Sequence, residues 1–232
     1  MNWLRAQLTR TPLVARVVPF VLFVVLTFTQ EWFGPAGRYW IYLAKTVLGA
    51  AMLAAVWPAV EEMRWAWSWE SLAVGVSLFL LWAGLDDLFI SLGWKGSYPK
   101  LNFGGGVPWN PLAHFGQGAA WAWFFIVVRL AGSTLVVPPL EEVFFRSFVY
   151  RYISKADFLS VPLGAFAARP FLITSLLFAA EHREWLAGLI CGFAFQWLVC
   201  RKQRLGDAMT AHAITNLLLG LWVVWRGEWR FW

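Results

Sequence analysis

The sequence predicts an all-α, polytopic membrane protein, a single membrane domain of seven to eight transmembrane helices over residues 1–232. Three observations carry that reading. Of the 232 residues, 60% are hydrophobic and only 14% are charged, whereas a soluble domain carries about 25% charge and about 45–50% apolar residues. Apolar runs of about 20 residues, the length that crosses a bilayer, recur along the chain. Aromatic residues reach 19%, with 18 Trp, 20 Phe and 5 Tyr, and Trp favours the headgroup level, where its ring is buried and its N–H stays wet. The hydrophobicity excludes disorder, and the absence of a glycine period and of many cysteines excludes collagen-like and disulfide-stapled chains. The formal charge of +6 reads as basic loops against an anionic leaflet. No glycine-rich phosphate loop or basic-aromatic platform points to nucleic acid, so the bilayer is the expected partner and nucleic acid is not.

The first helix is expected at about 12–30. Arg5, Arg10 and Arg16 precede its apolar run as in a signal peptide, but the run ends Phe28-Thr29-Gln30-Glu31-Trp32-Phe33 without a small-x-small cleavage site, so it reads as an uncleaved membrane helix. Helices follow at about 38–58 and 70–85. The longest non-helical stretch is 86–116, where Asp86, Asp87, Lys95, Pro99, Lys100, Gly104-Gly105-Gly106, Pro108 and Pro111 mark a loop or re-entrant segment. The glycine triplet reads as a turn, since no helix start with Lys-Ser/Thr follows it. Further helices are expected at about 117–137, 160–180, 185–200 and 207–226. An eighth, 138–154, opens on Pro138-Pro139, which should end one helix and begin the next, because proline is tolerated in a first turn. Cys191 and Cys200 lie in an apolar helix and read as packing residues rather than a bridge. Arg201-Lys202-Gln203-Arg204 and the N-terminal arginines should both be cytoplasmic. Seven crossings satisfy both clusters; eight full crossings do not.

Charged residues at the bilayer centre cost about 2.5–3.5 kcal/mol on insertion scales and mark function, so the polar inventory of 117–226 holds the candidate site. Glu141-Glu142-x-x-x-Arg146 places Glu142 and Arg146 on one helix face as a pair. Glu141 points about 100° away and is the carboxylate left to take a proton; a salt-bridged helix end is the competing explanation. His182, in Phe178-Ala179-Ala180-Glu181-His182, closes an apolar helix, where an interfacial cap is the plainer role, and Glu181 and Arg183 beside it read as solvated. His212 and Asn216 share a face of the last helix. Two donors on one buried face suit an oxyanion, and interhelical hydrogen bonds are the alternative. Arg129 reads as a structural counter-ion for a carboxylate. A zinc protease of the His-Glu-x-x-His kind and a Gly-x-Ser-x-Gly hydrolase lack their motifs. An aspartyl intramembrane protease is not evident either, because Asp86-Asp87 sits at a helix end. A Glu-His-His-Asn set could bind a metal, but no metal or cofactor is expected.

Taken together, Glu-Glu-x-x-x-Arg, then Phe-x-x-x-His, then His-x-x-x-Asn in apolar helices resembles the type II CAAX prenyl endopeptidases, the CPBP or Abi family of glutamic intramembrane proteases. The resemblance covers about 117–226, the expected protease core; helices and loop of 1–116 contribute only hydrophobicity. The tract Gly132-Ser133-Thr134-Leu135-Val136-Val137-Pro138-Pro139 through Arg146-Ser147-Phe148, Leu186-Ala187-Gly188-Leu189 and the closing Trp229-Arg230-Phe231-Trp232 look like the bacterial branch that accompanies exosortase-type sorting systems. The resemblance implies about eight helices around an intramembrane catalytic cavity. It implies that Glu141 and His182 activate a water, that His212 and Asn216 hold the oxyanion, and that Glu142 and Arg146 orient the site. It also implies a multi-pass protein of a bacterial inner membrane. Its substrate would be a membrane-anchored protein or sorting-signal peptide, with exosortase-system proteins as partners. A non-enzymatic scaffold or immunity protein of the same fold is the alternative.

Overall fold

A computed structural model describes residues 2–94, 100–101 and 108–232, and these residues form nine helices and no strand. In chain order they are α1 (Asn2–Leu8), α2 (Pro12–Thr29), α3 (Gly34–Val56), α4 (Trp69–Ser91), α5 (Pro111–Phe115), α6 (Ala120–Ser154), α7 (Ala168–Ala180), α8 (Trp185–Lys202) and α9 (Gly206–Arg226). Lys95, Pro99 and Gly104-Gly105-Gly106 of the expected loop lie outside the described residues.

Local chemistry explains the boundaries. The Thr11 hydroxyl accepts from the Val14 N–H (3.2 Å) and Pro12 occupies the first turn of α2. Ser68 and Ser71 cap α4 reciprocally. Gln203 and Gly227 end α8 and α9 in the left-handed region, at φ 56° and 70°. Exposed Trp57, Trp65, Trp67 and Trp69 gather where α3 passes to α4, and Trp121 and Trp123 stand at the start of α6, the placement expected of interfacial anchors.

Among the described residues five helices are long and apolar enough to cross a membrane: α2, α3 with the turn that extends it to Ala59, α4, α6 and α9. The remaining passes differ from expectation at two places. Pro138-Pro139 do not separate two helices; α6 runs through them for 35 residues. It widens into π-helical turns at Gly132–Val136 and Val143–Val149, the first of which shifts the hydrogen-bond register just ahead of the prolines. The helix expected at 160–180 begins only at Ala168, leaving α7 with 13 residues that turn back through α8.

Ion pairs set the sidedness. Arg16 at the start of α2 pairs with Glu62 in the α3–α4 loop (2.8 Å), Glu62 also reaches Arg151 near the end of α6 (3.4 Å), and Lys202 at the end of α8 pairs with Glu70 at the start of α4 (2.8 Å). The N-terminal Arg16 and the Arg201–Arg204 cluster therefore share one end of the bundle, the outcome that seven passes require.

Small residues let the helices approach closely, as packing in lipid demands. A Cβ on Gly75 of α4 would lie 2.7 Å from the Ala211 carbonyl of α9, and one on Gly49 of α3 would lie 2.8 Å from Val136 of α6. These contacts bring α3, α4, α6 and α9 around one cavity of about 390 Å³, whose wall α2, α7 and α8 complete.

Candidate active site

The motif residues converge on that cavity from three elements. Glu141 and Glu142 sit just before the second π segment of α6, His182 follows α7, and His212 and Asn216 lie in the first half of α9. Glu141, His182, His212 and Asn216 all line the cavity.

Glu142 lies behind it. Its carboxylate is fully buried, with one oxygen 3.0 Å from His212 Nδ1 and the other 3.2 Å from Arg146 Nε, an ion pair too poorly angled to be a hydrogen bond. Arg146 is likewise fully buried, and its guanidinium stacks over Phe178 at 4.3 Å. Glu141 does project from a different face than Glu142, yet both reach the same imidazole: Glu141 Oε2 lies 3.8 Å from His212 Nε2. Phe195 stacks on the ring at 4.9 Å, so His212 is held on its edges by two carboxylates and on its face by an aromatic. Since a carboxylate only accepts, Nδ1 carries a proton toward Glu142. Nε2 can then donate to a substrate oxygen only as the imidazolium.

The tautomer of His182 follows from the same logic. Its Nδ1 lies 2.7 Å from the Phe178 carbonyl, an acceptor only, so Nδ1 bears hydrogen and Nε2 keeps its lone pair. Trp82 packs edge-on against the ring (5.5 Å), and a Cβ on Gly188 would lie 3.1 Å from His182 Cβ. The small residue allows α8 to press the histidine into place.

Asn216 is anchored by a consequence of Pro138. In the π-helical turn Val137 N–H donates to Gly132 O, five residues back. The next donor in that register would be residue 138, whose proline has none. Asn216 Nδ2 donates to the Ser133 carbonyl instead, at 2.8 Å. One amide hydrogen is thereby used, and the other is left for the cavity.

Two residues occupy places the sequence reading did not give them. Glu181 is not solvated; it lines the cavity with a buried, unpartnered Oε1. Ligand atoms of Glu141, Glu181 and His182 lie within 4.8 Å of one another, a cluster able to hold a water or a cation. The helix end that gave His182 its polar-cap reading hid Glu181, because the missing turns of α7 keep that end inside the bundle. Arg129 has no carboxylate partner among the described residues. Its guanidinium stands over Tyr42, Trp109 and Trp232 at 4.9, 4.7 and 5.2 Å.

The family model described as type II CAAX prenyl endopeptidase Rce1-like matches residues 119–218. No curated protein and no solved structure matches the chain. The matched stretch runs from the start of α6 into α9 and carries Glu141, Glu142, Arg146, His182, His212 and Asn216, so it is this motif-bearing part of the chain that is similar to the type II CAAX prenyl endopeptidase Rce1-like family of proteases.

Proposed function

We propose that the protein is a glutamic intramembrane endopeptidase that hydrolyses a peptide bond of a membrane-anchored substrate. The observation that carries this reading is the grouping of Glu141 with the unprotonated Nε2 side of His182 on one cavity wall, facing the His212–Asn216 pair. A water held between Glu141 and His182 loses its proton to one of them as its oxygen attacks the scissile carbonyl carbon. The carbonyl oxygen becomes an oxyanion and accepts from the second Asn216 amide hydrogen and from His212 Nε2. As the C–N bond breaks, the stored proton passes to the leaving nitrogen. Glu142 and Arg146 act through His212 and touch no reacting atom.

The basic end of the bundle faces the cytoplasm on this reading, the membrane is a bacterial inner membrane, and the substrate is a sorting-signal protein handled by an exosortase-type system. The test compares protein termini in membranes of cells carrying wild type or Glu141→Gln. Termini present only with wild type are expected, from activity that survives prolonged chelation. Identical termini in the two strains would refute the enzymatic reading. Activity lost with stoichiometric zinc and restored by its return would convert Glu141, Glu181 and His182 into metal ligands.

A further inference from the structure

The same cavity has a second, cationic end that the hydrolytic chemistry does not use. Lys45, on α3, is 3% exposed and lines the cavity. Its ammonium donates to Thr27 Oγ1 at 2.8 Å and faces the rings of Tyr42 and Phe23 at 4.6 and 4.8 Å. Arg129 lines the cavity too and shares the Tyr42 ring with Lys45. Neither cation has a carboxylate within ion-pair distance among the described residues. An isolated charge at membrane depth is expensive, and rings and a hydroxyl replace only part of its hydration. Two such groups on one cavity wall are balanced when an anion enters.

Position says which anion. Lys45 lies near the middle of α3, about 16 Å from either end at about 1.5 Å per residue, well below the headgroups where lipid phosphates reside. The cations also share their cavity with the reactive groups, so the molecule that meets one set extends to the other. Arg129, Ser133, Val137 and Glu141 line the wall one turn apart. From Arg129 to Glu141 the helix rises about 18 Å, or about five residues of extended peptide at about 3.3 Å each. Lys45 sits slightly nearer, since its neighbour Thr46 meets α6 at Gly132. We propose that Lys45 and Arg129 form an anion subsite that seats a carboxylate of the substrate peptide, about four to five residues from the bond that is cut. This deepens the peptidase reading and rests on it. Of the two cations, Lys45 lies outside the family match and Arg129 inside it.

The test is binding without turnover. Full-length Glu141→Gln protein in detergent is titrated with three N-dansylated pentapeptides of Ala and Leu. The first has a free C-terminal carboxylate, the second is its C-terminal amide, and the third is an amide with Asp as last residue. At least one carboxylate-bearing peptide should bind about 30-fold or more tighter than the plain amide, as for a desolvated charge pair, and which one does so identifies an α-carboxylate or a side chain. Lys45→Met and Arg129→Gln should each shrink that gap without weakening the plain amide, and Lys45→Arg should retain it. Equal binding of all three peptides would overturn the subsite even where the cation variants fail to fold, because it is read on intact cations. Displacement of the probe by short-chain phosphatidylglycerol, lost in Lys45→Met, would assign the cations to a lipid phosphate and overturn it equally. Cleavage surviving Glu141→Gln would refute the peptidase mechanism and leave this binding result standing, so the two failures are distinct.

Discussion

Removing Asn216 should have a different effect on stability depending on what stands at position 138. In the native chain Asn216→Ala strands the Ser133 carbonyl, whose only side-chain donor among the described residues is Asn216 Nδ2 at 2.8 Å. Leaving a buried acceptor unmade costs about 1–3 kcal/mol, while hydrogen bonds between membrane helices average about 0.6 and reach about 1.7 kcal/mol; the expected loss is about 1 kcal/mol. Pro138→Ala returns a backbone N–H five residues from Ser133, in the register that Val137 already uses toward Gly132. Asn216→Ala made in that background should cost no more than a few tenths of a kcal/mol, a coupling of about 0.5–1 kcal/mol. Thermal unfolding in detergent, followed through the fluorescence of the 18 Trp, reads the cycle as shifts of about 2–4 °C per kcal/mol. Turnover separates the two roles of the amide. Asn216→Ala should lower kcat about 10²–10³-fold, since an oxyanion donor matters most as charge builds, and restoring the backbone bond should not rescue it. Equal destabilisation in both backgrounds would refute the proline argument. A variant that unfolds early yet turns over normally would make Asn216 part of the scaffold.

Glu142→Gln should destabilise by about 3–5 kcal/mol, because it leaves the fully buried Arg146 without its anion, and adding Arg146→Met should recover most of the loss in the same unfolding assay. Gly75→Ala places a Cβ 2.7 Å from the Ala211 carbonyl and 2.8 Å from Ile214 Cβ; overpacking of about 1–3 kcal/mol is expected, with a loss of activity as α9 and His212 shift. Stability should also fall in acid through Glu62. Burial by itself would raise this carboxyl, but the Arg16 guanidinium and hydrogen bonds from Ser147 and Arg16 hold it below its ordinary value of 4.5. A carboxyl depressed on folding stabilises fully above that value and loses its contribution as pH falls through the folded one. Glu62→Gln should flatten the acid limb of an unfolding-temperature profile, and an unchanged limb would refute the assignment.

The helices were legible because lipid allows few alternatives: α2, α3 and α9 begin and end within a few residues of expectation, although α4 runs six residues further and α6 joins two expected helices, and Glu142 with Arg146 paired as their four-residue spacing suggests. Less legible were features that depend on another element. Proline at 138 and 139 reads locally as a stop, and only the π-helical turns with Asn216 arriving from α9 allow α6 to continue. A glutamate and a histidine after an apolar run read as a wet helix end, and only the shortness of α7 turns them into cavity wall. Arg129 suggested a carboxylate partner because charge pairing is the common solution, whereas three aromatic rings from α3, the segment before α5 and the end of the chain surround it. Spacing within a helix reports which residues share a face. It does not report what stands opposite.

The shortness of α7 also bears on how water reaches a reaction that consumes it. Thirteen residues rise about 20 Å, some 10 Å less than the hydrocarbon thickness of about 30 Å. The turn that holds Glu181, His182 and Arg183 therefore ends where lipid could not hydrogen-bond its backbone. Protein groups do so instead: Leu101 N–H donates to the Arg183 carbonyl at 3.0 Å, and Lys100 bridges Glu184 to Asp86, which Arg230 also grips at 2.5 Å. These ion pairs place a polar cluster beside a helix shorter than the hydrocarbon thickness, and local thinning of the bilayer is one way such a mismatch is met. On the hydrolytic reading proposed above, the water consumed would have its shortest route to His182 from this end, opposite the basic face.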